Sequence, residues 1–397
     1  GLNTYSGNRL RRIKLIFENN MPIAYKRIAK ASNDILINED GSQLIDLFGA
    51  NGTTLLGHVN ESVTSHLHSQ LDEVWATGTI ETPVRGQARS LVDSFFPSSH
   101  GLVGFYSTGM EAAEFAIRLA RVSTGRTGLI GFAKSMHGKS MATAFLAWEN
   151  PSITELPGFK RLPYPSAELE ADVLPKIEAL LRTEEIAAVF LEPIQGSGGG
   201  YSVSPAFAKR LLSLCRETGT LLVVDEILTG FYRTGPVFAH RHLEIQPDIV
   251  LIGKIMGNGF PVSGVVADRN LKTVPKMLPG STYAGNALAA AAVIGTLTTL
   301  GNLDVAQLSQ AIEDKIRAAI VSLVSEHYIL RGRGLLWIFE FKDSAKAEFF
   351  ASQAYARGVF VGHAGPLARL MPALTIEPEN LDRAIDIIVD ILTKELD

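Results

Sequence analysis

Cysteine is almost absent from this chain of 397 residues, in which only Cys215 occurs. A single cysteine excludes an intramolecular disulfide and indicates a reducing compartment, so we expect a cytoplasmic protein. Because Cys215 follows the apolar run Leu211-Leu212-Ser213-Leu214, we predict that its thiol lies on a buried helix face. We therefore do not expect it to act as a nucleophile.

An excess of positive charge is also missing, because 37 Lys and Arg residues stand against 41 Asp and Glu residues. This balance provides no basic field for nucleic acid or for an anionic membrane surface. The longest run of small apolar residues, 287–300, is too short and too rich in threonine to cross a bilayer. Residues 1–16 lack the apolar core of a signal peptide. We expect a soluble protein that acts on small molecules, without a nucleic acid or membrane partner and without a metal site.

What the sequence does contain is an alternation of short apolar runs and segments of helical periodicity, which is typical of an α/β domain with a mostly parallel sheet. The runs are apolar throughout, as strands covered on both faces require. The predicted strands are Leu102–Tyr106, Gly128–Phe132, Ala187–Leu191, Leu221–Val224 and Ile249–Ile252. The predicted helices between them include Glu111–Arg121 and Pro205–Thr218.

The pattern changes after about Gly301. The segments that follow are a long predicted helix, Val305–His327, the apolar runs Leu330–Phe341, Val359–Val361 and Ala368–Met371, and a final helix after Pro378. The chain exceeds the ~250–300 residues at which one core usually divides. We therefore predict a large domain over residues 50–295 and a smaller α+β domain built from both chain ends, residues 1–49 and 296–397.

Two motifs favour a nucleotide-binding protein when they are taken alone. Residues 133–140, Ala-Lys-Ser-Met-His-Gly-Lys-Ser, satisfy a relaxed P-loop pattern, and Leu221–Glu226 resembles a Walker B strand. The loop argues against this interpretation, because its Lys-Ser-Met-His stretch has no glycine that would let N–H groups close around phosphates. A P-loop NTPase that depends on Lys139 is the less favoured alternative.

Asp225 and Lys254 stand at the ends of two successive predicted strands. Because ligands of open α/β sheets bind at the carboxyl ends of strands, both side chains can reach one crevice. A carboxylate there can hold a protonated pyridine nitrogen, with an attraction of about 4 kcal/mol at ~4 Å and a dielectric of ~20. A partly buried lysine has a lowered pKa, as an amine nucleophile and proton carrier needs. Taken alone, Lys254 is better explained as an ordinary solvated lysine at a strand end, and Asp225 as a helix cap or an ion-pair partner.

Segments rich in glycine and hydroxyl groups accompany these two residues. Residues 255–261, Ile-Met-Gly-Asn-Gly-Phe-Pro, predict a turn that lets the backbone approach a ligand. Residues 107–112, Ser-Thr-Gly-Met-Glu-Ala, join a strand to a helix, so their N–H groups and the helix dipole suit a phosphate ester. Ser281–Asn286 is a second such cluster. Each cluster is also compatible with an ordinary N-cap.

The order and spacing of these segments resemble the class III aminotransferases of pyridoxal-phosphate (PLP) fold type I over nearly the whole chain. The motifs that carry the resemblance are Asp40-Gly41 through Leu56-Gly57-His58, Glu192-Pro193-Ile194-Gln195-Gly196, Thr229-Gly230-Phe231-Tyr232-Arg233-Thr234-Gly235, Arg331-Gly332-Arg333-Gly334-Leu335 and Arg369-Leu370-Met371-Pro372-Ala373-Leu374. The resemblance implies an α/β fold with a large, mostly parallel-sheet domain and a smaller α+β domain. It also implies ping-pong transfer of an amino group from an amino acid donor to an aldehyde or keto acceptor.

The resemblance further implies a role for each site residue. Lys254 would form the Schiff base with PLP, and Asp225 would hold the pyridine nitrogen. Arg369 would bind a substrate carboxylate, and Glu192 would pair with it when no carboxylate is present, although a structural ion pair is the alternative for these two. A homodimer with shared active sites is implied, in which Thr282 reaches the phosphate of the neighbouring subunit's cofactor. The other implied cofactor contacts are Thr108, Gly109, Met110, Met136, His137 and Ile227.

Three residues depart from the family's pattern. Met110 stands where Ser or Thr is usual, Met136 where an aromatic ring stacks on the pyridine, and Leu228 where Gln contacts the ring hydroxyl. These changes remove polar or aromatic support from the cofactor, although a thioether can still pack on an aromatic face. They favour a specialised biosynthetic enzyme. Residues 117–126 also resemble glutamate-1-semialdehyde aminomutases, which move an amino group within one molecule, and this remains an open alternative.

Overall fold

The computed structural model describes residues 25–148, 156–273, 275–278, 280–323 and 325–396. Within these ranges the chain forms fifteen strands. They are β1 (Ile28–Ser32), β2 (Ile35–Asn38), β3 (Gln43–Asp46), β4 (His100–Tyr106), β5 (Gly128–Phe132), β6 (Phe159–Leu162), β7 (Ile186–Leu191), β8 (Leu221–Asp225), β9 (Ile249–Ile252), β10 (Ser263–Asp268), β11 (Tyr328–Arg333), β12 (Leu336–Phe341), β13 (Val359–Phe360), β14 (Gly362–Ala364) and β15 (Leu367–Leu370).

The largest sheet has seven strands in the order β4-β10-β9-β8-β7-β5-β6. Only β10 runs antiparallel to its neighbours in this sheet. All five predicted strands are present, with ends within two residues of the prediction, and the predicted α/β fold is confirmed. The prediction missed β6 and β10. The strand β6 is an edge strand that carries exposed Lys160 and Arg161, so it shows no apolar run.

Helices connect the strands and pack against the sheets. The helices of the described ranges are Gly49–Gly52, Glu61–Leu71, Pro83–Asp93, Gly109–Thr124, Met141–Phe145, Glu170–Leu181, Pro205–Thr218, Ala287–Asn302, Val305–Ile316, Ser344–Ala356 and Pro378–Lys394, with 3₁₀ turns at Ala239–Arg241, Lys254–Gly257 and Pro275–Met277. The helix Gly109–Thr124 begins with a capping box between Thr108 and Glu111 and ends at Gly125 in a left-handed conformation. These local signals explain why this helix could be predicted.

Of the two smaller sheets, the first combines strands from both ends of the chain, and the second consists of strands from the C-terminal part alone. The first has the order β1-β2-β3-β13, and the second has the order β11-β12-β15-β14. The prediction of one helix over 305–327 was wrong, because the α-helix ends at Ile316 and a single π-helical turn, Arg317–Val321, follows it. The apolar run 330–341 forms most of the hairpin of β11 and β12. Its turn contains Gly334 at a φ of +58°, where a Cβ atom would lie 2.6 Å from the backbone of Thr234.

The most apolar helix, Ala287–Asn302, is buried on most of its faces and packs against the helices Glu61–Leu71 and Pro83–Asp93. Among the described residues, no single helix is long and apolar enough to cross a membrane. One pair of helices, Ala287–Asn302 and Val305–Val321, has the required length and composition when taken together, but it is bent by 80°. Cys215 is fully buried on its helix, as predicted. Burial raises the pKa of its thiol, which makes it a poor nucleophile.

Candidate active site

A cavity of about 360 Å³ lies at the carboxyl ends of β8 and β9. Nine of the eleven predicted site residues line it, and they come from loops that follow five different strands of the large sheet. These residues are Thr108, Gly109, Met110, Met136, His137, Glu192, Asp225, Ile227 and Lys254. The remaining two, Thr282 and Arg369, do not line the cavity. The fold therefore brings together residues that are up to 146 positions apart in the chain, from Thr108 to Lys254.

Asp225 is the last residue of β8 and is buried beside His137. The Nδ1 atom of His137 lies 2.8 Å from one carboxylate oxygen of Asp225, and the backbone N–H of Ile227 donates to the other oxygen at 3.0 Å. An ionised carboxylate only accepts hydrogen bonds, so Nδ1 of His137 must carry the proton. Burial of the imidazole lowers its pKa, but the hydrogen bond and the charge of Asp225 outweigh burial, and the net pKa of His137 is raised. The pair fixes the orientation of the Asp225 carboxylate.

Glu192 is buried directly after β7 and accepts a hydrogen bond from the backbone N–H of Met136 at 2.9 Å. Burial raises the pKa of Glu192 to about 7, although the nearby His137 opposes this shift. The predicted ion pair between Glu192 and Arg369 is absent from the described part of the chain. The carboxylate is held instead by backbone N–H groups, since Gly196 also donates to it at 3.5 Å. Glu192 therefore belongs to the wall of the cavity.

Lys254 follows β9 and enters the 3₁₀ turn Lys254–Gly257 with a φ of +42°, a value that is strained for a residue with a Cβ atom. Burial and the charge of Arg369 lower the pKa of its amine to about 8, although Asp225 and Glu192 oppose this shift. Within the described ranges, the Lys254 amine has no hydrogen-bond or ion-pair partner. An amine with this pKa is partly uncharged near neutral pH and can attack an aldehyde.

The start of the helix Gly109–Thr124 forms a second wall of the cavity. The carboxylate of Glu111 accepts the N–H groups of Ser107 and Thr108, each at 2.9 Å. The N–H groups of Gly109 and Met110, by contrast, find no acceptor in the described parts of the chain. A Cβ atom on Gly109 would lie 2.7 Å from the Cδ1 atom of Ile227, so glycine lets the helix start approach this side chain without displacing it. Two free N–H groups at a helix N-terminus provide a site for a phosphate.

Arg369 and Thr282 do not line the cavity, and they belong to different parts of the fold. Arg369 is on β15, and its guanidinium stacks over the ring of Phe48 at 5.6 Å. It is close enough to lower the pKa of Lys254, and burial lowers its own pKa. Thr282 is exposed on the turn before the helix Ala287–Asn302. The neighbouring hydroxyl of Ser281 donates to Glu111 at 3.0 Å, so this turn contacts the start of the helix Gly109–Thr124.

Several lining residues were not predicted from the sequence, namely Thr53, Gly138, Ser197 and Val262, whereas Leu228 was already expected beside the cofactor. Gly259, Phe260 and Pro261 also line the cavity, and they belong to the turn 255–261 that was predicted to approach a ligand. Thr53 and Ser197 carry no local signal. Leu228 fills the space between two glycines, since a Cβ atom on Gly196 would lie 2.1 Å from its side chain and one on Gly52 would lie 2.7 Å from it.

The arrangement does not support the nucleotide-binding alternative. Glu226, which the Walker-type interpretation would place near magnesium, is fully buried. Its carboxylate accepts the N–H groups of Ala239 at 3.1 Å and His240 at 2.7 Å, and also the hydroxyl of Thr229. Lys139 is exposed and does not line the cavity. The acidic and basic residues of the two motifs therefore do not converge on one phosphate site.

The comparison with known proteins decides the family. Residues 17–392 match the model of the family "Aminotransferase class-III". The chain belongs to the class III aminotransferases. It is 34% identical over 377 residues to an acetylornithine aminotransferase of Bacillus subtilis, and the match covers 90% of this chain and 92% of the relative. A 2-aminoadipate transaminase of Pseudomonas putida is 34% identical over 387 residues, with 89% and 92% covered.

A solved structure of the ornithine aminotransferase from Toxoplasma gondii, described with PLP at partial occupancy, has the same fold. It superposes with a TM-score of 0.84 at 26% identity and covers 98% of this chain and 95% of that one. This class III aminotransferase is a PLP-dependent enzyme that transfers amino groups. Its cavity fits the cofactor, because it offers an unpaired amine at Lys254, a carboxylate at Asp225 and two free N–H groups at Gly109 and Met110.

Proposed function

We propose that the reaction takes place between Lys254 and Asp225, with Lys254 as the residue that binds PLP covalently and carries the proton. The observation that supports this most strongly is that an amine with a pKa of about 8 and an oriented carboxylate line the same cavity. When it is bound, PLP supplies an aldehyde that takes up the amino group and an aromatic ring that accepts electrons. The protein supplies the charges and the geometry.

Each residue of the proposed site has one task. Asp225 keeps the ring nitrogen protonated, and His137 holds Asp225 in place. The N–H groups of Gly109 and Met110 bind the phosphate, with Thr108 beside them, while Ile227 and Met136 enclose the ring from the cavity walls. The Lys254 amine would take up the proton from the substrate carbon and later give it up again. Proton transfer of this kind contributes about 10²–10⁴-fold to a rate.

We propose that both substrates carry a carboxylate that binds Arg369. The relatives are named for acetylornithine and 2-aminoadipate, which are amino acids, and the Arg369 guanidinium forms no ion pair in the described ranges. A planar guanidinium binds a carboxylate through two parallel hydrogen bonds. The donor is then an amino acid, and the acceptor is an aldehyde or keto compound of a specialised biosynthetic route.

The half-reaction with L-glutamate tests this function. Purified protein incubated with PLP should develop a visible absorbance band, and an excess of L-glutamate should convert that band to the shorter-wavelength pyridoxamine form. A band that persists with L-glutamate but yields product from a single substrate would instead support the aminomutase alternative. If no band forms at all, the proposal is wrong.

We further propose that the enzyme is a homodimer with shared active sites. An exposed apolar surface next to Thr282 supports this, because Trp75 is 57% exposed, Ile80 72% and Tyr283 67%. The main chain of Trp75 accepts the N–H of Ala287 at 2.9 Å, and Arg85 donates to the carbonyls of Ile80 at 2.9 Å and Gly285 at 2.6 Å, so the two segments lie side by side. A contiguous apolar patch of this kind marks a protein interface. In the dimer, Thr282 would contact the phosphate of the neighbouring subunit's cofactor.

The substitution Ile80→Glu tests this interface. A charge buried in the proposed interface would have no partner, so we expect a shift from dimer to monomer in light scattering and weaker PLP retention. The matched control is Ile329→Glu, at a residue of β11 that is 57% exposed and lies outside the segments of Trp75, Ile80 and Tyr283. A dimer that survives Ile80→Glu but dissociates on Ile329→Glu would place the interface elsewhere.

We also propose that residues 50–295 form the large domain and that residues 1–49 and 296–397 form the smaller one. The proposed site then lies between them, because Lys254 and Asp225 come from the large sheet and Arg369 comes from β15. Limited proteolysis of the holoenzyme tests these bounds, and a stable fragment that ends between residues 100 and 268 would contradict them. We propose a cytoplasmic location because the buried thiol of Cys215 suits a reducing environment.

A further inference from the structure

Arg233 is a fully buried arginine that lies on the loop following Asp225. Its guanidinium contacts three backbone carbonyls from three separate segments. One Nη atom donates to Pro372 at 2.7 Å and to Leu335 at 3.1 Å, and the other donates to Gly52 at 3.2 Å. In the described part of the chain it forms no ion pair, and its Nε atom has no partner. A buried cation held only by carbonyls is costly, so a purely stabilising role is a weak explanation for it.

The three carbonyls belong to the parts of the chain that shape the substrate side of the site. Pro372 follows β15, the strand of Arg369, and Leu335 precedes β12, which pairs with β15. In that pairing, Ile338 stands opposite Arg369. Gly52 precedes Thr53, which lines the cavity. One side chain thus connects the loop after Asp225 with the strand of the proposed carboxylate site.

The backbone before Arg233 is held in a strained conformation. Phe231 and Tyr232 are consecutive residues with φ values of +50° and +73°, in the left-handed region that residues with a Cβ atom rarely adopt. The strained pair turns the chain so that the next side chain enters the interior. Strain of this kind persists only where the surrounding structure enforces it, and it concentrates at functional sites.

We propose that Arg233 is a positioning residue, which fixes Arg369 and the Gly52–Thr53 segment against the loop that carries Asp225. The inference rests on the proposed role of Arg369 as the carboxylate site. Arg233 touches neither the cavity nor the reacting atoms, so it acts through the carbonyls that it holds. Its charge has a second effect, because together with burial and the charge of Arg369 it lowers the pKa of Lys254.

Two variants separate these effects. In Arg233→Lys the charge stays but the planar fork is lost, so one ammonium cannot hold three carbonyls in the same geometry. In Arg233→Gln the charge is removed, and an amide with two N–H donors remains, which avoids burying an ion and favours folding. Arg126→Lys is a distal control, since Arg126 also donates to a carbonyl, that of Ile186, at the start of β7.

The first measurement is the affinity of the PLP-loaded enzyme for glutarate, a dicarboxylate that has no amine to react, by calorimetry. We expect both Arg233 variants to bind glutarate about tenfold more weakly, because small displacements of a binding group are costly. Arg369→Lys should weaken it further, and Arg126→Lys should leave it unchanged. A merely structural Arg233 would lower the unfolding temperature and leave the glutarate affinity of the folded enzyme unchanged.

The second measurement is the pH dependence of PLP capture by protein freed of cofactor. Removing the charge in Arg233→Gln raises the pKa of Lys254, so the midpoint of capture should move to higher pH, whereas Arg233→Lys should keep it. If Arg369→Lys weakens glutarate binding and neither Arg233 variant does, this inference is wrong while the proposed function stands. If the wild type does not bind glutarate, or Arg369→Lys binds it normally, the carboxylate assignment fails and the inference fails with it.

Discussion

Replacing Lys254 by alanine should remove turnover and the visible absorbance band while the protein stays folded. Alanine can neither attack the PLP aldehyde nor carry the proton, so we expect a loss of about 10⁴-fold or more in kcat. The fold should survive because the amine has no hydrogen-bond partner in the described ranges, and because removing a desolvated cation relieves a cost. Absorbance spectra, single-turnover rates and thermal unfolding measure the three effects separately.

The pH dependence of cofactor capture provides an internal check on this residue. Only the uncharged amine reacts, and burial with the nearby Arg369 lowers the pKa of Lys254 to about 8. Capture by the wild type should therefore rise about tenfold from pH 6 to pH 7 and level off above pH ~9. The NTPase alternative predicts that Lys139→Ala abolishes activity. We expect this variant to keep both the absorbance band and the pH profile. Near wild-type turnover in Lys254→Ala would overturn the assignment.

The large sheet and the meeting of Asp225 with Lys254 could be predicted for the same physical reason, whereas most other site residues were implied by the family resemblance. Strands covered on both faces are apolar throughout, and residues at their carboxyl ends meet in one crevice, so Asp225 and Lys254 could be placed together without coordinates. The helix start at Thr108 was equally visible, since its capping box lies within four residues. Features that depend on local spacing or on the sheet's own rules were therefore predictable.

The residues that were missed depend on contacts between distant segments. Thr53 and Ser197 reach the cavity only because separate loops fold over it. The absence of the Glu192–Arg369 pair follows from the backbone N–H of Met136, which binds the carboxylate and which no side-chain pattern reveals. Arg233 stood in a recognised motif, yet its three carbonyl partners lie more than 100 positions away in the chain. Secondary-structure periodicity carries no information about such contacts.

The second large effect is expected for Asp225→Asn, which exchanges one carboxylate oxygen for an amide group of nearly the same shape. The side chain then has one acceptor oxygen, while His137 and the N–H of Ile227 both donate to this position. The amide also carries no charge to keep a ring nitrogen protonated. We expect the half-reaction with L-glutamate to slow by about 10²–10³-fold. The visible band should remain, since Lys254 is intact. Stopped-flow absorbance after mixing with L-glutamate measures the rate directly.

Two further variants identify the cause of that loss. Asp248→Asn is the matched control, because Asp248 is also a largely buried carboxylate and accepts the N–H of Leu222 at 2.7 Å, but at the opposite end of the sheet. It should lower stability without slowing the half-reaction.

His137→Asn keeps a donor near the position of Nδ1, so it should slow the half-reaction less than Asp225→Asn does. A loss in His137→Asn that equals the loss in Asp225→Asn would mean that His137 does more than orient Asp225. A normal rate in Asp225→Asn would mean that no carboxylate is needed at the ring nitrogen, and the proposed charge arrangement would have to be abandoned.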